Sequence, residues 1–114
     1  MILLHAAKQS DWKNAQETGF YGDFSIKKDG FIHCSVPENI VDVANDNLKK
    51  IQENMVILCI DISKLDSEIR WECRGNKGIN FPHIYGVINI DAVVETIPFD
   101  KNQLGEFYLP EEIK

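Results

Sequence analysis

VPENIVDVANDNLKKIQEN, residues 36–54, runs directly into MVILCIDI, residues 55–62, and the two halves follow different periods. In the first, Ile40, Ala44, Leu48 and Ile51 recur at helical spacing with Val41 beside them, so one face of a helix is apolar. Ser35 and Glu38 spell an S-x-x-E capping box, and Pro37 falls in the first turn, where a missing N–H does no harm. The second half is almost continuously apolar, the pattern of a strand covered on both faces.

Working outward, the same rules place more strands than helices. Residues 2–6 read as a first strand. SDWKNAQETG, residues 10–19, reads as a helix that Ser10 or Asp11 would cap and Gly19 would end. Trp12 and Ala15 form its inner face. FSIKKDGFIHC, residues 24–34, alternates around Lys28-Asp29-Gly30, and the Asp-Gly step signals a hairpin. EIRWECR, residues 68–74, alternates as a strand after a turn at residues 64–66. GNKG, residues 75–78, is a loop. NFPHIYG, residues 80–86, carries Pro and Gly punctuation and reads as a loop or strand entry. DAVVETIPF (91–99) and EFYL (106–109) complete the set. Two main helices serving many short strands predict an α+β fold with a split, antiparallel-rich β-sheet.

The totals bound the rest. A chain of 114 residues with 44% hydrophobic and 26% charged residues forms one domain with its own core. No apolar run approaches the roughly 18–20 residues that cross a bilayer, and the N-terminus lacks a basic leader, so a cytoplasmic protein with no membrane partner is expected. The net charge of −6, with only two arginines and no basic stripe, argues against general nucleic-acid binding. A small phosphate-bearing ligand needs only a few local donors and stays open. Cys34, Cys59 and Cys73 show neither a disulfide framework nor a four-ligand zinc spacing, and no HxH or HxxxH pair supports a metal site.

Strand alternation sorts the chemistry-bearing residues. Phe31, His33 and Ser35 fall on one face, with Ile32 and Cys34 on the other, which separates Cys34 from His33. Arg70, Glu72 and Arg74 share a face, as a surface ion pair or as an anion site that holds Glu72 ionised. Phe81, His83 and Tyr85 either pack as an aromatic turn or wall a flat ligand, with His83 and Tyr85 offering hydrogen bonds. His5 lies in the first strand and Lys8 follows it.

LLHAAKQSDWKNAQETGFY (3–21), DGFIHCS (29–35), IRWE (69–72), NFPHIYGVINIDAVV (80–94) and GEFYLP (105–110), in that order, resemble the small bacterial family catalogued as domain of unknown function 952. More distantly, LLHAA through His5 and GFIHCS through His33 and Ser35 are similar to two motifs of the ADP-ribosyltransferase group, which includes the RNA 2′-phosphotransferases. That similarity implies an ADP-ribosyltransferase-like split sheet with a cleft for a nucleotide or NAD-type ligand. NAD would be a substrate, and no resident cofactor is implied. That similarity puts His5 and His33 in the cleft, and the nearer family's motifs and the strand alternation add Glu72 and His83; these four are the candidate catalytic residues. Lys8, Trp12, Ser35, Arg70, Phe81 and Tyr85 are the candidate ligand contacts. Ala6-Ala7 stand where the distant group carries Gly-Thr. A glycosyl- or ADP-ribosyl-transfer enzyme and a non-catalytic binding module that kept the cleft are therefore both expected readings.

Overall fold

The computed structural model describes residues 1–73 and 78–113. Its centre is the stretch quoted above. Strand β4 (Met55–Asp61) lies between β1 (Ile2–Lys8) and β8 (Val93–Phe99) in an antiparallel sheet of order β1-β4-β8. Alternation along β4 sends Met55, Ile57 and Cys59 to one face and Leu58 and Ile60 to the other. Both sets are buried, each in its own core cluster, which is why the run has no polar interruption.

One cluster is closed by α3 (Ile40–Asn47), whose Ile40 and Ala44 pack with Ile57, Phe99 and Phe107. The helix is shorter than the periodicity predicts, and the capping box does not form. The N–H and C=O of Ser35 are taken by Leu4 at 2.7 and 2.8 Å, so this residue ends a strand instead of starting a helix. The chain then turns through Val36, whose carbonyl accepts from Asn39 and Ile40. Leu48 and Ile51 still pack against the same cluster beyond the helix end, and Lys101 Nζ donates to the carbonyls of Lys49 and Ile51 at 2.7 Å each.

The second cluster is closed by α1 (Gln9–Thr18), through Trp12 and Ala15, and by a second sheet. Helix α1 follows β1 without a break, and neither Ser10 nor Asp11 caps it. The Gln9 N–H goes to the Asn54 carbonyl at 2.9 Å, and Ser10 Oγ donates to Glu53. Gly19 ends the helix, as expected.

Between α1 and the second sheet the sequence expectation fails. Residues 23–29 are a helix, α2 (Asp23–Asp29), and Asp29-Gly30 is its end, not a hairpin turn. Gly30 sits at φ 85° and its N–H closes on the Ile26 carbonyl, a left-handed helix cap. Asp23 in the first turn and Lys27 and Lys28 in the last match the helix dipole. There are thus three helices, not two, among the described residues.

The second sheet has the order β3-β6-β5, from β3 (Ile32–His33), β6 (Phe81–Tyr85) and β5 (Glu68–Glu72), all antiparallel. NFPHIYG therefore supplies a central strand despite its proline. The Pro82 carbonyl accepts from the Cys34 N–H at 3.0 Å, so its missing donor faces β3 at the end of that ladder and spares the β5 side. Ile32 and Ile84 point into the core, while His33, His83, Phe81 and Tyr85 share the opposite face.

A short pair, β2 (Phe20–Tyr21) with β7 (Ile88–Asn89), links the layers. EFYL is not a strand: Phe107 makes one bridge to Lys101 and stacks on Phe99 with centroids 4.6 Å apart. No helix among the described residues is long and apolar enough to cross a membrane.

Candidate functional site

The two sheets meet along β1 and the β3 segment, and they meet at one point. After the Leu4–Ser35 bridge the strands part, and a side chain takes over from the backbone. His5 Nδ1 reaches the His33 carbonyl at 2.5 Å. A carbonyl only accepts, so Nδ1 carries the proton. Nε2 then accepts from the Tyr21 hydroxyl at 2.9 Å. Enclosure of the ring pushes the His5 pKa down to about 4, which keeps it neutral. Burial also pushes the Tyr21 hydroxyl up.

The parting strands leave a cavity of about 450 Å³. One wall is the apolar face of α3, with Ile40, Val43, Ala44 and Leu48, and Asn47 beside them. The facing wall carries His33, Ser35, Phe81 and His83. Lys28 and Asp29, at the end of α2, lie on its border. His33 is 61% exposed, with Nε2 3.4 Å from Asp29 Oδ2, so this pair forms a wet rim.

His83 is the buried member, at 1% exposure. Its Nδ1 donates to Glu72 Oε1 at 3.0 Å, and the same carboxylate oxygen accepts from the Tyr85 hydroxyl at 2.5 Å. Phe31 stacks at a tilt on the His83 ring with centroids 4.3 Å apart. The ring is therefore fixed in position with Nδ1 turned to Glu72, and in the neutral imidazole Nε2 is the nitrogen left as an acceptor. Among the described residues, neither Nε2 nor the Ser35 hydroxyl has a hydrogen-bond partner within the protein. No fully enclosed side-chain nitrogen or oxygen there lacks a partner, so both atoms open onto the cavity they line.

Of the residues proposed from sequence, His5, His33, Ser35, Phe81 and His83 line one cavity. Glu72 and Tyr85 stand behind His83 and touch the cavity only through it. Of the two arginines that flank Glu72 in sequence, Arg70 donates through Nε to Glu68 at 2.9 Å, and its guanidinium lies 4.3 Å over the Tyr85 ring. Arg74 lies outside the described residues, as does most of the GNKG loop. Two expected ligand contacts are elsewhere. Trp12 is a core residue under α1, and Lys8 pairs with Glu53 at 3.7 Å on the surface. Cys34 borders the cavity but packs with Ile32 and Ile84, and burial pushes its thiol up, away from the thiolate that a nucleophile needs. Among the described residues no group of three metal-ligating side chains converges.

Sequence reasoning missed Asp29, Tyr21 and the α3 wall. Asp29 was assigned to a turn. Tyr21 meets His5 across two elements, with no local signal.

Comparison with known proteins adds the following. No curated protein matches the chain. The crystal structure of protein CC0527 from Caulobacter crescentus superposes with a TM-score of 0.85 at 24% identity, covering 99% of this chain and 98% of that one. A double mutant of it gives 0.85 at 23% over the same shares. Its solution NMR structure gives 0.75 at 25%, over 92% and 90%. The fold is thus held in common with that protein. Since residues 6–96, from the second half of β1 to the middle of β8, match the sequence profile of the proteins of unknown function termed DUF952, the chain belongs to that family.

Proposed function

We propose that the cavity between β1, β3, β6 and α3 binds a nucleotide or NAD-type small molecule, with His83 as the general base of a glycosyl-transfer reaction. The observation that carries this reading is the Glu72–His83 pair: a carboxylate holds a buried imidazole at 3.0 Å, on the wall of a cavity of about 450 Å³. A flat ring would lie between Phe81 and the apolar face of α3, and Lys28 at the border would meet a phosphate.

In such a step His83 Nε2 takes the proton of an acceptor hydroxyl while its oxygen bonds to the anomeric carbon. The C–N bond to nicotinamide breaks, and its electron pair neutralises the ring nitrogen. Glu72 is a positioning residue here, because it meets the imidazole and not the cavity. Neutral His5 has both ring nitrogens engaged, and its role is to shape the split.

The test is incubation with NAD and measurement of free nicotinamide. Release should fall about 10²–10⁴-fold in His83→Ala, the range for losing a general base. Glu72→Gln, which can still accept from Nδ1, should shift the pH profile of release while leaving binding in place. A second reading, a binding module without chemistry, is favoured by one observation. Among the described residues Asp29 is the sole carboxylate lining the cavity, so no buried anion faces a developing positive charge. NAD binding without nicotinamide release would establish that reading. No binding would reject both.

A further inference from the structure

Two polar atoms on the cavity wall are reachable and lack protein partners, and their chemistry restricts what can satisfy them. In the neutral imidazole, His83 Nε2 is the acceptor, because the Glu72 carboxylate can only accept and so selects the tautomer with the proton on Nδ1. It needs an O–H or N–H from the ligand, and a phosphate or carboxylate oxygen there would set lone pair against lone pair. Ser35 Oγ can donate or accept. Its residue is 3% exposed and that of His83 is 1%, so each loses water when a ligand fills the cavity and must be repaid in kind.

Register fixes their relation. His33 pairs with His83, and the Cys34 N–H bonds to Pro82, so by the same register Ser35 falls opposite Phe81, just past the end of the ladder, where its own N–H and C=O turn to Leu4. Ser35 and His83 are therefore diagonal neighbours on one face, roughly 7 Å apart at the backbone and closer at their side chains. Hydrogen bonds of about 2.8 Å from each end leave room for two adjacent hydroxyls between them.

We propose that Ser35 Oγ and His83 Nε2 clamp a vicinal diol of a sugar ring, one ligand hydroxyl donating to Nε2 and its neighbour accepting from Ser35. The proposal rests on the nucleotide-binding reading above and assigns the sugar to the buried wall; it goes with the module without chemistry, because the one lone pair of Nε2 does not hold a sugar hydroxyl and take an acceptor proton at once. The phosphate, where there is one, lies at the Lys28 border. It also moves sugar recognition away from His5, whose ring is already satisfied.

The experiment compares adenosine with its 2′,3′-dideoxy counterpart by ligand-observed NMR and calorimetric titration, on the wild-type chain and on Ser35→Ala. Ser35 bonds to Leu4 through its backbone alone, so this variant keeps the bridge. Adenosine should bind the wild type about tenfold tighter than the dideoxy nucleoside, and Ser35→Ala should erase most of that preference while leaving dideoxy binding unchanged. Equal wild-type affinity for the two nucleosides overturns the diol clamp and leaves the nucleotide cleft standing. A preference that survives in Ser35→Ala also overturns it, because another residue then reads the hydroxyls. Failure of both nucleosides to bind overturns the clamp and the cleft reading together.

Discussion

His5 shows how much one side chain can hold. Its ring spans the split between the sheets, and it does so only as neutral imidazole, donating from Nδ1 and accepting at Nε2. Its pKa is about 4 in the folded chain, against an ordinary 6.5. Between those values the unfolded chain binds the extra proton, so stability falls as pH falls through that window. The contribution is fully present above pH 6.5 and gone below about 4. Its upper bound is about 3 kcal/mol, less whatever solvent screens at this half-buried residue. His5→Phe leaves the Tyr21 hydroxyl and the His33 carbonyl without this partner. It should be less stable at pH 7 by about 1–3 kcal/mol, yet lose less between pH 7 and 4 than the wild type does. Denaturant midpoints of both proteins at the two pH values check this, and parallel declines would remove His5 as the cause. At this scale the sequence was legible in part. Alternation alone grouped Phe31, His33 and Ser35, and set Glu72 on one face with Arg70. It could not choose partners: Arg70 is two residues from both Glu68 and Glu72, and the register that sets Glu72 opposite Phe81, from where it reaches His83 diagonally, is a tertiary fact.

Elements were legible where periodicity was strong and failed where a turn signal had two meanings. Asp-Gly serves a hairpin or a helix end, and FSIKK is too short for its period to decide between them. What fixes α2 is its other end. Gly22 sits at φ 101°, and a Cβ there would lie 2.3 Å from Ile32 Cδ1. Gly30, at φ 85°, has open space around the same position. Both glycines have left-handed backbone, so alanine strains each by roughly 1–3 kcal/mol. Only Gly22→Ala adds the collision with a core side chain, for roughly 1–3 kcal/mol more. Thermal and chemical unfolding should therefore rank Gly22→Ala below Gly30→Ala. Equal losses would mean that Ile32 yields without resistance and that packing at the start of α2 does not anchor the Lys28–Asp29 border of the cavity. The proline in β6 follows the same rule of context. It signals a loop in sequence, and it fits a central strand because its missing donor meets a neighbour that ends there.

The molecule as a whole divides its stability unevenly, and the division bears on the site. β4 pairs along its length on both sides and is buried on both faces, whereas β5, among the described residues, pairs on one side only and holds only half-buried and exposed residues. Between the two sheets, the β1–β3 seam carries one backbone bridge and the His5 contact. Free energy of local opening follows buried contacts and protected hydrogen bonds. The amides of Ile57, Leu58 and Ile60 should thus exchange only through global unfolding, while that of Arg70 exchanges through a smaller opening. The Leu4 and Ser35 amides, hydrogen-bonded across the seam, should fall between them. Native-state hydrogen exchange in rising denaturant separates these classes. The strand carrying Glu72 would then be the one that loosens first, and a ligand seated on His83 should slow exchange at the seam and on β6 more than on β4. One common opening energy for β4, β5 and the seam would show instead a single cooperative unit, with the cavity as rigid as the core beneath it.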